Sequence, residues 1–335
     1  MRLDLFGTGK KNHARRLCAG VSLIELVVVI TISGIIATIL GTLIVKPIQG
    51  YQAQVRRAEL VDAAEMALRR LSRDIRQALP NSVRVSTSGG RSAIEMLNTI
   101  DGARYRDGPG QLPGPPLGHN HANQQYRLKF SGADTDGFNI VGFFQNITVP
   151  FASTTERLAI YNQGVTGANA YDDGDESLLP APASYVITRP GVTTFGIGVD
   201  GDNPCSPGVA NPGGGDEHCI KPSSSFTFRH ASLNQRVYIV DSPVSYVCTP
   251  GNGGNITRYS GYAIRSTQPT DPSLAPLSIA TNVALLSTPV SACSFTYTAG
   301  SPQRAGLVTL DITVSDTASG EQVRLLYQVH VDNSP

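Results

Sequence analysis

The chain has 335 residues, 40% hydrophobic and 16% charged, with 34 glycines, 22 prolines and no tryptophan. Such values suit a packed body rich in turns. The formal charge of +1 is unevenly placed: the first twenty residues carry an excess of four positive charges, and the remainder is mildly acidic. The body therefore has no basic surplus of the kind that nucleic-acid binding requires.

The first twenty residues hold Arg2, Lys10, Lys11, Arg15 and Arg16 against the single acid Asp4. Within them Gly7-Thr8-Gly9-Lys10-Lys11 imitates the end of a phosphate loop. Asp4 stands where that motif needs its first glycine, and Lys11 where it needs serine or threonine, so the motif is rejected. Next comes CAGVSLIELVVVITISG, residues 18 to 34, with Glu25 at the mouth of an apolar run. From Leu26 to Val45 no residue is charged. As a helix at about 1.5 Å per residue, this run spans roughly 30 Å, one hydrocarbon core. Positive charge before it predicts a cytoplasmic N-terminus and an exported body.

A conventional secretory signal has an apolar core of about 7–15 residues followed by its small-residue cleavage site. Here the run is longer, and Ala19-Gly20 precedes it. A lipoprotein signal is excluded too, because Cys18 lies before the apolar core rather than after it. A cut at Gly20 leaves the apolar helix on the mature chain.

The basic leader, Gly20 and VSLIELVVVITISGIIA together resemble the prepilin signal of type IV pilins and type II secretion pseudopilins. The resemblance implies cleavage between Gly20 and Val21 by a prepilin peptidase that also methylates the new N-terminus. Val21 stands where phenylalanine or methionine is commoner, and Thr42 where many members have proline, with Pro47 lying later. These departures fit a minor component better than a major pilin. An unpaired carboxylate inside a membrane costs about 3 kcal/mol. By resemblance, Glu25 is matched by the positive N-terminus of a neighbouring subunit, a pairing that sets axial register. The bland reading is a carboxylate that snorkels to the interface.

Beyond Pro47, the residues Val61, Ala64, Leu68, Leu71, Ile75 and Ala78 recur at spacings of three and four, the stripe of an amphipathic helix. Arg57, Glu65, Arg69, Arg73 and Arg76 occupy its other face, and Pro80 ends it. One helix over about Val21–Leu79 is expected, with Pro47 as the place for a bend. The domain reading is a removed leader over 1–20, a membrane or filament-core helix over 21–45, its amphipathic continuation over 46–79, and a β-rich body over 80–335.

After Pro80 the pattern changes to short strands between Gly, Asn, Asp and Pro. Val308, Leu310, Ile312 and Val314 alternate with polar residues. Asp316–Gly320 supplies a turn, and Val323, Leu325, Tyr327, Val329 and Val331 alternate again, which predicts a hairpin. Further strands are expected at Tyr126–Phe130, Leu158–Tyr161, Phe226–Phe228 and Arg236–Val240, and long insertions at Asp101–Gln125 and Gly201–Pro222. A helix on an antiparallel sheet with long loop insertions is an α+β arrangement, and the fold that the pilin-like resemblance implies.

With the leader removed, four cysteines remain: Cys205, Cys219, Cys248 and Cys293. In an exported chain they read as two disulfides. Of the three possible pairings, proximity in sequence favours Cys205–Cys219 and Cys248–Cys293. Cys205, Asp216, His218 and Cys219 could instead ligate zinc, but in an oxidising compartment the disulfide outweighs this. Asp172, Asp173, Asp175 and Glu176, with Asp200 and Asp202, invite a calcium reading. Neither cluster fits the spacing of a calcium loop, so solvated turns are favoured. His119-Asn120-His121 lies in a Pro/Gly-rich loop without partners. The sequons at Asn146 and Asn255 have no weight behind a bacterial export signal. No nucleophile elbow, zinc-protease helix or complete nucleotide motif appears, and neither a cofactor nor catalysis is expected.

Later blocks, QRVYIVDSPVSYVC, RYSGYAI, SACSFTYT and QRAGLVTLDITVSDTASGEQVRLLYQVHVDNSP, resemble the MshO family of MSHA (mannose-sensitive haemagglutinin) pilus biogenesis. The resemblance implies a minor pilin of an MSHA-type type IV pilus, held first as a single-pass protein of the bacterial inner membrane with a periplasmic body, then carried into the pilus. Its partners would be the prepilin peptidase/methyltransferase, other major and minor pilins and the inner-membrane assembly platform. The alternatives are a J-type type II secretion pseudopilin and a pilus-tip adhesin or ligand-binding module.

Overall fold

The computed structural model describes residues 20–106, 127–131, 137–178, 180, 184–199, 217–300, 305–317, 319–331 and 333. The first element, α1, runs from Leu23 to Arg76. Ser22 starts it: its hydroxyl accepts from the Ile24 N–H at 3.3 Å and its carbonyl from the Leu26 N–H at 3.1 Å. These are the two bonds of an N-cap. Glu25 in the first turn and Arg73 and Arg76 in the last have the signs that the helix dipole favours. Pro47 lies inside the helix, where it lacks the N–H for one ladder bond. The helix stops three residues short of the expected Leu79. There the Leu79 N–H donates to the Leu97 carbonyl at 2.8 Å, and Ala78 bridges Asn98. Leu79 also precedes Pro80, which disfavours helical backbone at that residue.

The chain divides into two compact units, one ending at Arg56 and the other running from Arg57 to Pro335. In the first unit the described part is helical from Leu23, and its large apolar side chains are exposed throughout.

The second unit contains the last turns of α1, β1 (Arg84–Ser88), β2 (Arg91–Arg104), β3 (Phe138–Asn139), β4 (Phe151–Ala152), β5 (Arg157–Ala159), α2 (Ala170–Gly174), β6 (Phe195–Val199), β7 (His218–Pro222), β8 (Arg236–Thr249), β9 (Asn255–Ser260), β10 (Asn282–Ser287), β11 (Val290–Thr298), β12 (Gly306–Ser315) and β13 (Gln322–Val331). Among the described residues these strands make three sheets. The first has the order β1-β2-β8-β9-β10, with β5 also paired to β8. The second is β11-β12-β13, and the third β3-β7-β6-β4. Every pairing between these strands is antiparallel. The architecture is α+β, one long N-terminal apolar helix with antiparallel sheets, as a pilin-like fold requires.

The C-terminal hairpin is present as β12 and β13, in register from Ser315↔Gln322 to Gly306↔Val331. Its turn closes with the Gly320 N–H donating to the Asp316 carbonyl at 2.8 Å; Gly320 has φ +72°, a conformation that glycine adopts without strain. The expected strand at residues 126–130 is not formed in its described part, although Leu128 is buried. Phe226 and Phe228 make only isolated bridges, and the strand expected at Arg236–Val240 continues to Thr249. β2 and β7 take up parts of the two stretches expected to be loops.

Among the described residues four buried clusters fill this unit, and the two largest organise it. In the first, Ala64, Leu68, Leu71 and Ile75 of α1 pack with Ile94 and Met96 of β2, Tyr246 of β8 and the inward row of β12. The second lies in the chain between β2 and β8. There Phe138, Ile140, Phe195, Ile197 and Ile220 pack with Val237 and Ile239 at the far end of β8. β2 and β8 therefore form one ribbon shared by both cores, with register shifts at Leu97/Thr99 and Thr99/Asp101. Such shifts re-aim the side chains along a strand.

Candidate functional site

Gly20, Val21 and Ser22 precede the first helical residue, and all three are exposed. Among the described residues no heavy atom beyond its chain neighbours comes within 4 Å of where a Gly20 side chain would begin. The Gly20–Val21 bond thus lies in open, non-helical backbone immediately before the N-cap, where an enzyme can reach it. Glu25 follows within the first turn of the helix and is itself exposed.

The side chains after Glu25 pose a solvation problem. From Leu26 to Ile48 the large aliphatic residues are about half exposed or more, and nothing described in the chain covers them. This is an apolar surface far larger than water-soluble monomers tolerate. α1 is also long and apolar enough to cross a membrane. Two of its hydroxyls are satisfied within it: that of Thr31 donates to the Val28 carbonyl at 2.9 Å, and that of Thr38 to the Ile35 carbonyl at 2.7 Å. Bonding of this kind removes the cost of placing a hydroxyl in an apolar medium.

The other candidate residues have different fates. Cys248 and Cys293 are joined by a disulfide with S–S 1.95 Å and Cα–Cα 6.5 Å, tying β8 of the first sheet to β11 of the second. Cys219 is also disulfide-bonded; Cys205, its expected partner, lies outside the described residues, as does Asp216. A disulfide removes the Cys219 thiolate that zinc would need. His218 is buried, and its Nδ1 accepts from the Phe144 N–H at 3.0 Å. Burial holds its pKa below the ordinary histidine value, against a weaker upward pull from Asp101.

The acidic loop spends its carboxylates internally. Asp173 accepts from the Val186 N–H at 2.8 Å and pairs with Arg229 at 3.2 Å. Asp175 accepts from Ser177, Ser266 and Arg265, and Glu176 pairs with Arg157 at 2.5 Å. Asp172 is exposed. Among the described residues no group of three or more His, Cys, Asp or Glu side chains is placed to hold a metal ion. Asp200, Asp202, His119 and His121 lie outside the described residues.

Two buried polar clusters escaped the sequence reading. Asp74 of α1 accepts from the Tyr246 hydroxyl and from Arg258 Nε, each at 2.7 Å, fixing the helix end to β8 and β9. Glu95 of β2 is fully buried and accepts from Arg84 Nε at 2.6 Å and the Tyr262 hydroxyl at 2.8 Å. The Arg84 guanidinium lies 3.5 Å from the centre of the Tyr171 ring, within cation–π range. Burial raises the Glu95 carboxyl above the ordinary range, although Arg84 and Tyr262 pull it down. Both clusters are closed by protein partners and offer no site to a substrate. The one sequence signal was a carboxylate on an inward-facing strand or helix position.

The exposed Gly20–Val21 bond, Glu25 and the uncovered helix therefore stand together as the candidate site. Comparison with known proteins agrees with that location. Residues 15–41 match the family model described as the prokaryotic N-terminal methylation motif. No curated protein and no solved structure matches the chain. The motif supports a type IV pilin-like structural subunit, and implies processing by a prepilin peptidase and assembly with other pilins. The motif and the apolar helix also fit anchoring in the inner membrane.

Proposed function

We propose that the chain is a minor pilin taking part in the assembly or initiation of an MSHA-type type IV pilus. The observation that carries this reading is the order of its N-terminal features. A basic leader, Gly20 and then an uncovered apolar helix with Glu25 in its first turn coincide with the matched motif. In this reading the peptidase cuts between Gly20 and Val21 and methylates Val21. The helix over residues 21–45 first spans the inner membrane with its N-terminus cytoplasmic, and the body from residue 80 is periplasmic. On extraction into the filament, the exposed aliphatic surface exchanges lipid for the helices of neighbouring subunits. Glu25 receives the positive N-terminus of one of them, which fixes the axial stagger. Head-to-tail contacts that do not close on themselves build such a fibre. The choice of MSHA rests on the resemblance of the later sequence blocks.

A second reading, a ligand-binding module carried at the pilus tip, is favoured by the separate core between β2 and β8. That core has no part in holding α1.

The test is the intact mass and N-terminal sequence of the protein from a native membrane or pilus fraction. N-methylated Val21 as the first residue is the expected result. A start at Met1, or a cut after Val45, removes the basis of the proposal.

A further inference from the structure

The loop after β3 is held by two ionisable side chains from different strands. The chain turns away at Gly142, whose φ of +90° suits glycine, and residues 141–150 form no helix or strand. At the start of β7 the His218 N–H donates to the Gly142 carbonyl at 2.9 Å, and His218 Nδ1 accepts from the Phe144 N–H at 3.0 Å. From β2, Asp101 Oδ2 accepts from the Asn146 N–H at 2.6 Å, and Oδ1 from the Gly102 N–H at 2.8 Å. Among the described residues no other group accepts from the Phe144 or Asn146 amide. An imidazole nitrogen that accepts carries no proton, so His218 is neutral, with its hydrogen on Nε2. Protonation would set a second donor, Nδ1–H, against the Phe144 N–H, and that bond would be lost. The ring is 6% exposed, with the Phe143 and Phe144 rings centred 4.9 and 6.1 Å away. Among the described residues, Asp101 is the carboxylate that acts on it from β2. Glu217, its chain neighbour, is engaged by Arg106, and β6 brings only the uncharged Val199 opposite it.

We propose that His218 and Asp101 form a pH-sensitive clasp on residues 143–147. It is closed while the imidazole is neutral, and it opens when the imidazolium gives up the Phe144 amide and turns to the Asp101 carboxylate. A charged donor then competes for the carboxylate that holds Asn146. One proton therefore loosens two amide anchors of the same loop. The closed clasp keeps Phe144 and Ile147, 4% and 9% exposed, in the second core. Val141 and Phe143, on the same stretch, are already exposed. Opening in acid thus enlarges an apolar patch on the body, at a place that contributes no residue to the core on α1. Burial lowers the His218 pKa, and Asp101 offsets this only in part. Below about pH 6.5 the unfolded chain binds a proton that the closed clasp excludes. The clasp is accordingly at full strength above that pH and weakens below it, until the lowered folded value is reached.

The test is amide hydrogen exchange of the full chain in detergent micelles, with rates corrected to those of an unstructured peptide at each pH. Between about pH 7.5 and pH 5, protection of the Phe144 and Asn146 amides should fall about tenfold, the effect of one proton over roughly one pH unit. Protection of β12 and β13 should stay level. His218→Asn sets an amide oxygen near the place of Nδ1 and cannot titrate, so its profile should be flat. Asp101→Asn removes the charge that draws the imidazolium, so the fall should begin at a lower pH. A level profile in the native chain, a fall that persists in His218→Asn, or an equal fall in β12 and β13 would each overturn the proposal. Should His218→Asn not fold, the ring nitrogen resonances of the native chain decide. Conversion of the Nε2–H tautomer to imidazolium over the pH range in which protection is lost upholds the clasp, and titration in a separate range overturns it.

Discussion

The two ends of α1 solve opposite problems with the same backbone. Before Arg56 its aliphatic side chains recur on every face and all are exposed. After Arg57, aliphatic residues keep to one stripe, and Ala64, Leu68, Leu71 and Ile75 are buried. The second stretch is stabilised by the body it packs on. The first is complete only in another solvent, a bilayer or a bundle of similar helices. A single helix therefore encodes two environments through the angular spread of its apolar residues, and a carboxylate means something different in each. Asp74 is matched within the chain by Tyr246 and Arg258. Glu25 has no such match among the described residues, and in the pilin reading proposed above a neighbouring subunit supplies it.

The largest expected effect tests that last contrast. Glu25→Gln should lower incorporation into sheared filaments by about a hundredfold, the scale of removing one partner of a buried ion pair. The thermal stability of the body should not change. Wild-type incorporation by this variant would place Glu25 at the interface as a mere snorkelling acid.

Truncation separates the two halves next. Leu71→Ala should destabilise the body by about 3 kcal/mol through transfer and cavity terms. Ile36→Ala, which removes similar surface in the first half, should leave denaturant unfolding of the body unchanged. Equal effects would show that both stretches belong to one cooperative unit.

Asp74→Asn probes the polar anchor. Losing the charged acceptor of two hydrogen bonds should cost about 2 kcal/mol. Tyr246→Phe in the same background should add less than it costs alone, read as a double-mutant cycle.

The smallest effects are in pH dependence, where two buried carboxylates have opposite signs. Burial raises the Glu95 carboxyl, so the folded chain binds a proton that the unfolded chain has released. Its contribution to stability then falls as pH rises from about 4.3 through the raised value. For Asp175 burial also pulls upward, but hydrogen bonds from Ser177 and Ser266 prevail and hold it well below the usual carboxylate range. That contribution is present above about pH 4 and is lost in acid. Melting curves of Glu95→Gln should gain on wild type as pH rises from 4 to 7, while those of Asp175→Asn converge with it below pH 4. Each group alters the slope by at most about 1.4 kcal/mol per pH unit. Parallel curves for both variants would refute the assignment.

What was readable in the sequence was local. The leader, Gly20, the apolar run, the stripe ending near Ile75 and the β12–β13 hairpin all declare themselves within thirty residues or so. Their signals are charge order, periodicity and a short turn. The shared ribbon could not be read in this way. Ser92 faces Cys248 and Arg104 faces Arg236, and no periodicity within either strand names a partner so distant. Residues 126–130 show why pattern alone misleads: Leu128 is buried as alternation suggests, yet the described backbone there joins no sheet. The polar clusters were hidden for a related reason. Glu95 looks like any strand carboxylate until Arg84, eleven residues away, and Tyr262, from another part of the chain, converge on it.

The pairing of Arg104 with Arg236 has an architectural consequence. The chain that builds the second core leaves and re-enters the ribbon through two adjacent strand ends about 4.8 Å apart, and between them it is tied back three more times: β5 pairs with β8, the Tyr171 hydroxyl donates to the Ser82 carbonyl at 2.9 Å, and Asp175 accepts from the Ser266 N–H at 2.8 Å. A segment held in this way can be lengthened over evolutionary time in the stretches between its ties, whereas excising it would uncover Leu79, Leu97, Val240 and Ile264. An engineer closing the ribbon there with a two-residue turn would first have to replace those four side chains with polar ones.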